Sequence, residues 1–551
     1  MTYQLWAVFG TCVSRGRLIY YMVTTIEEPD SLLVKIACFL FVRHKNPVFF
    51  VPLPIDLSVK TMKKLLFSVV VIICSLTGYA QSYDERIANA MNSGDWFALD
   101  SIYNAAPKDS IMPFLEVYSR GLIGNRLNRP DISIPAFEEL LQSHAASLDL
   151  SNLLNSAVML SMDLSKTGDN AKAASVLSSV LDATKQYLDS AAVEGMQRYV
   201  DQYKALSVYR PYSISFSEEE GTVPFGIKQV GKPEREAFLM YLDDCGINGT
   251  DADIVFDTGA GVNIISDSLA RAYNLISLDA YNNVMGIGRR KAHYAIAKEL
   301  KLGNIVIRDV PFLVVNLTLD NEEANKYIDC FSIVVGSELM LQLKDMTVDF
   351  TGRKITVPPT APERSGTPAN MFFSPQMNLL TKGIIHNDAM LVCIDTGDAS
   401  YGSLNGDFFN RNEEYISAHA QPDTIRTAGI GGVKITDGYR LPDVCATIGG
   451  STVVLPQIFV SRGLNAVATD YECNLGLKSL MQFGKIRFNL VDFTIETVPS
   501  GISVAVANGY KPPMFRFMPD KKPTLWQTIG LVTLSVANGL CNVNAPAAPD
   551  L

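Results

Sequence analysis

The chain has 551 residues, enough for two to four domains that each bury a core of ordinary size. It carries 47 Lys and Arg against 57 Asp and Glu, a formal net charge of −10. That balance leaves no basic stripe to neutralise phosphates and sets nucleic acid aside as a partner.

In chain order, residues 1–61 show no sustained helical or alternating period. Residues 62–81, "MKKLLFSVVVIICSLTGYAQ", follow the grammar of a signal peptide: Lys63 and Lys64 at the start, an apolar centre from Leu65 to Leu76, then Gly78 and Ala80 before a cut at Gln81. A signal at 62–80 implies that translation starts at Met62, that 1–61 is an over-extended reading, and that the protein is exported to the periplasm or secreted. The apolar run is about 15 residues where roughly 20 span a bilayer, so a membrane is expected only through an uncleaved segment. Six cysteines follow the cut: Cys245, Cys330, Cys393, Cys445, Cys473 and Cys541. They show no CxxC or zinc spacing, and neither a metal site nor a cofactor is expected. Cys393 stands inside an apolar run, which predicts a buried thiol.

Residues 82–207 repeat apolar side chains at three- and four-residue steps, broken by Gly, Asn and Pro, which predicts an α-helical domain of antiparallel hairpins. The run "GDNAKAASVLSSVL" resembles one helix of a tetratricopeptide repeat, without a second copy at the roughly 34-residue period. Such a domain offers a surface for a protein partner. After "SFSEEEG" the texture changes to short β-branched and alternating runs with Gly and Asn turns, the mark of antiparallel sheet. The Pro-rich stretch "VPPTAPERSGTPAN" divides this sheet region into 222–358 and 371–500, with a linker at 359–370. Residues 501–551 repeat nothing before them and take no assignment.

The two sheet regions repeat one another. An apolar run ends in Asp257-Thr258-Gly259 in the first and in Asp395-Thr396-Gly397 in the second. A Gly-Ile pair precedes each Asp, at Gly246 and Gly383. A turn of Gly286, Ile287 and Gly288 lies 29 residues after the first Asp, and Gly429, Ile430 and Gly431 lie 34 after the second, counted to the first glycine. "VVG" ends at Gly336 and "NLG" at Gly476, 79 and 81 residues after their acids, each trailed by "VDF" and "VP". Matches at four places with nearly fixed spacing predict an internal duplication.

These residues resemble the aspartic proteases of the retroviral and pepsin-like type, specifically bacterial retropepsin-like families. The motifs that carry the resemblance are "IVFDTGAGVNIISDSLARAYNL", "GIG" and "IVVGSELM", and it covers about half of the chain. It implies a multidomain α + β fold in which two acid-protease lobes form an intrachain pseudo-dimer, with Asp257 and Asp395 as the catalytic pair. Two close carboxylates share one proton, so one serves as base toward water and the other as acid toward the scissile carbonyl. By the same resemblance Thr258 and Thr396 bond across to the opposite loop, and Gly259 and Gly397 allow close approach. Gly336 and Gly476 pack beside the catalytic loops. The two Gly-Ile-Gly turns are flaps, the first dominant, over a peptide or protein bound as an extended strand.

The second lobe departs from the pattern at Asp398, where the family has Ala, Ser or Thr, and at "NLG". A third carboxylate raises the proton affinity of its neighbours and moves the working range to higher pH, or it marks a lobe that has drifted. Three readings therefore stand: an aspartic endopeptidase, a catalytically degenerate peptide-binding protein, or a homodimer that pairs two copies of Asp257.

Overall fold

The computed structural model describes residues 5–14, 17–26, 35–42, 82–230, 237–319, 322–375, 377–463 and 471–498. The signal segment at 62–80 and the tail at 501–551 lie outside them. The chain divides into two units, Met1–Ser82 and Tyr83–Leu551. In the first, strands Leu5–Ser14, Arg17–Ile26 and Lys35–Val42 pair antiparallel in sequence order, where the sequence shows no sustained alternation.

The second unit opens with seven α-helices, Tyr83–Ser93, Trp96–Ala105, Pro113–Arg126, Pro130–Ser143, Leu150–Lys166, Asn170–Thr184 and Ser190–Leu206. Aspartates set several of their starts. The side chains of Asp95, Asp149, Asp169 and Asp189 accept from the N–H of Ala98, Asn152, Lys172 and Ala192 at 3.0, 2.7, 3.1 and 2.7 Å, satisfying donors that a helix leaves open. Pro113 and Pro130 stand in first turns, where a missing N–H costs nothing. The helices bury a core of Leu115, Tyr118, Leu122, Phe137, Leu160, Leu177 and Val200 that reaches Phe372, Leu380 and Cys393 of the following sheet. Cys393 is thus a buried free thiol. No helix among the described residues is long and apolar enough to cross a membrane.

The sheet regions share one strand plan. In the first, Ile254–Phe256 runs parallel to Ile333–Val335, which pairs antiparallel with Ile264–Ser266, which runs parallel to Ile305–Val315. In the second, Asp388–Asp395 runs parallel to Cys473–Gly476, which pairs antiparallel with Gly402–Leu404, which runs parallel to Ser451–Ser461. The Gly-Ile pairs open equivalent hairpins with two-residue turns: Asn248 and Gly249 take φ of 51° and 80°, His386 and Asn387 of 48° and 72°. A mixed α + β architecture follows, with helices first and sheet after.

A seam of strands within one continuous sheet joins the two regions. Asp345–Asp349 pairs antiparallel with Lys485–Asn489 through Thr347 and Arg487, flanked by Lys354–Val357 and Thr494–Val498. Arg487 holds Asp345 with two bonds of 3.1 and 2.9 Å, and Lys485 Nζ reaches Asp349 at 2.8 Å. The two "VDF" triplets do not match here. Residues 348–350 close the first strand of their hairpin, whereas 491–493 form the turn of theirs. Residues 358–370 carry no regular secondary structure, as their prolines predict.

Phe372 is 2% exposed and meets Phe97 edge-on at 5.5 Å, so it ties the helices to the second sheet. Phe372→Ala is expected to lower unfolding free energy by about 3–5 kcal/mol in a urea titration.

Candidate active site

Ile254–Phe256 consists of three buried apolar residues and delivers Asp257 at its end; Asp388–Asp395 ends on Asp395 itself. Each loop then folds back so that its own N–H groups bind its acid. Gly259 and Ala260 donate to Asp257 Oδ1 at 2.8 and 3.1 Å, and Gly397 and Asp398 donate to Asp395 Oδ1 at 3.0 and 3.0 Å.

The predicted exchange across the loops is present in full. Thr258 Oγ1 donates to Ile394 O at 2.6 Å and accepts from Thr396 N at 3.0 Å. Thr396 Oγ1 donates to Phe256 O at 2.7 Å and accepts from Thr258 N at 3.0 Å. Both threonines are buried, so these four bonds are shielded from competing water. The glycines permit the approach: a Cβ on Gly259 would lie 2.5 Å from Asp395 Cγ, and one on Gly397 would lie 2.3 Å from Asp257 Cγ. Each carboxyl thus lies against the glycine of the opposite loop, and the two acids face one another.

Burial raises the proton affinity of both acids. Asp395 is driven further, well above the ordinary carboxylate range, by burial first, then by the charges of Asp257 and Asp398. The Asn474 amide opposes this more weakly by donating to Asp395 Oδ2 at 2.9 Å. For Asp257 the rise from burial is opposed first by the Gly259 N–H. Both acids thus favour the protonated form, and the pair shares one proton.

Gly336 and Gly476 lie where the repeat places them. A Cβ on Gly336 would meet Ala260 O at 2.5 Å, and one on Gly476 would meet Ser400 O at 2.5 Å. The Gly-Ile-Gly turns sit at the tips of hairpins Ile276–Met285 with Arg289–Leu302 and Gln421–Gly429 with Gly432–Ile448. Here the expected dominance of the first turn is replaced by symmetry. The tips meet, with Gly288 N donating to Ile430 O at 2.9 Å, and a Cβ on Gly288 would stand 2.7 Å from Gly431 O.

Sequence reading missed three supports. Asn474, noted only as a deviation, bridges Asp395 and Asp398. Asn378 Nδ2 donates to Gly259 O at 2.8 Å from the second region, pinning the first Asp-Thr-Gly loop. Glu338, beside Tyr212 and Asn263, is pushed up to about 7 by burial. Only Asn474 left a signal, a polar residue where the first copy has Val334.

Thr258→Val leaves the Thr396 N–H and the Ile394 carbonyl buried and unpaired. It is expected to cost about 2–4 kcal/mol in chemical denaturation, whereas Thr258→Ser stays within about 1 kcal/mol of the parent.

Residues 244–323 match the family model described as "gag-polyprotein putative aspartyl protease". No curated protein matches the chain. The matched segment holds the first Asp-Thr-Gly loop and the first Gly-Ile-Gly turn, and over that segment the chain is similar to the retropepsin-like aspartyl proteases.

Proposed function

We propose that the protein is an aspartic endopeptidase in which the two β-rich regions act as an intrachain pseudo-dimer. The observation that carries this reading is the reciprocal bonding of Thr258 and Thr396 beneath two carboxyls that each lie against the opposite loop's glycine. A water held between the acids loses its proton to Asp257 and attacks the scissile carbonyl, while Asp395 gives its proton to the developing oxyanion. Substrate lies as an added strand beneath the meeting flap tips, which exclude bulk water during the step. The chain supplies both acids itself, which favours this reading over pairing two copies of Asp257. Retention of every backbone and threonine contact around Asp395 favours it over a degenerate second lobe.

In the same proposal the tetratricopeptide-like hairpins of 83–206 present a surface to a protein partner, and the segment at 62–80 directs export.

Asp257→Asn and Asp395→Asn, each alone, are expected to lower kcat by about 100-fold or more with circular dichroism unchanged. Full activity in Asp395→Asn would favour pairing between chains. The pH profile carries a second test. Burial keeps Tyr327, Tyr471 and Cys393 protonated around the pair, so the charges acting on Asp395 are those of Asp257 and Asp398. Asp398→Asn removes one of them, Asp395 releases its proton at lower pH, and the alkaline limb of kcat/KM moves to lower pH. An unmoved limb would refute the coupling.

A further inference from the structure

The two halves of the site differ at one pair of equivalent positions. Strand register sets Val334 against Val255 and Asn474 against Cys393, each two residues before the acid of its own region. Ala260 and Asp398 are equivalent as well, since each donates its N–H to Oδ1 of the preceding aspartate. Around Asp257 the pair is Ala and Val, and Val334 is buried with Val255, Ile264, Val284 and Leu313. Around Asp395 the pair is Asp and Asn in direct contact. Asn474 Nδ2 donates to Asp395 Oδ2 at 2.9 Å and to Asp398 Oδ2 at 3.0 Å.

This arrangement leaves acceptors, rather than free donors, on the Asp398 and Asn474 side chains. Both amide hydrogens of Asn474 go to carboxylates, which also fixes which way the amide points. Its Oδ1 is buried and has no partner. Asp398 Oδ1 accepts from Ser400 N at 2.9 Å and Ser400 Oγ at 2.7 Å, neutral donors that hold the carboxylate without cancelling its charge. A group bonded to the outer oxygen of a catalytic acid lies beside the reacting bond. A substrate side chain flanking that bond on this side would therefore face the negative Asp398 carboxylate, and its counterpart on the other side hydrocarbon.

Resting on the protease reading, we propose that Asp398 and Asn474 are specificity-determining residues that select Lys or Arg on one side of the scissile bond, while the Ala260 and Val334 wall takes an apolar side chain on the other. A cationic side chain brings several donors and a charge to acceptors that an apolar one would leave unpaired.

The test uses the full chain and the double variant Asp398→Ala/Asn474→Val, which copies the first wall onto the second. Two peptides differing only in Lys or Leu beside the scissile bond are compared by kcat/KM, after cut sites are located by mass spectrometry in a peptide library. The parent is expected to favour Lys by about tenfold or more, and the double variant to lose or reverse that ratio while still cutting the Leu peptide. If the double variant fails to fold, the near-isosteric Asp398→Asn is read by the same ratio and is expected to lower it. An unchanged ratio in the folded variant, or a parent that prefers apolar residues on both sides, overturns the inference while leaving the protease intact. Absence of any cleavage above an Asp257→Asn control overturns the protease reading and the inference with it.

Discussion

The structure depends on four buried hydrogen bonds that cross between two loops. Each threonine hydroxyl is donor to one strand and acceptor from the other loop, so neither loop can shift without breaking two bonds at once. That reciprocity requires two copies of the same loop held face to face. The seam of Asp345–Asp349 against Lys485–Asn489 supplies the second point of attachment, remote from the acids, and fixes the relative position of the two sheets.

Holding two carboxyls in a buried cleft opposes their ionisation, and the loops are built around that cost. Backbone N–H groups donate to both acids, and the glycine two residues on lets each acid rest on the opposite loop. The remaining strain is resolved by sharing a proton, which is the protonation state that acid and base roles in one step require. Symmetry of the backbone and asymmetry of the side chains thus coexist. The threonines are equivalent, whereas Asp398 and Asn474 distinguish one acid from the other.

Much of this was legible in the sequence because the constraint is local. Asp-Thr-Gly after an apolar run, Gly336 and Gly476 beside the loops, and the Gly-Ile-Gly tips all recur at nearly fixed spacing, and the structure brings each group to the cleft. The helical texture of 82–207 was equally readable, since its period and its aspartate caps are near-neighbour properties. Long-range matters were not. Asp398 and Asn474 read as two separate departures, because nothing in a sequence says that positions 76 residues apart share a hydrogen bond. The repeated "VDF" was a chance match between a strand end and a turn, since three residues of such composition suit either. Contact between the two Gly-Ile-Gly tips depends on how the two hairpins are placed, and docking of the helices through Phe372 and Cys393 depends on which sheet face is left open; neither has a local signature.

The central claim is that Asp257 and Asp395 hold a single proton between them. Carboxyl carbon NMR titration of aspartate-labelled protein, with Asp257→Asn and Asp395→Asn used for assignment, measures this directly. The account predicts two coupled transitions, with one proton retained well above the ordinary aspartate value of about 3.9. Two independent transitions near that value, each unaffected by loss of the other acid, would contradict it.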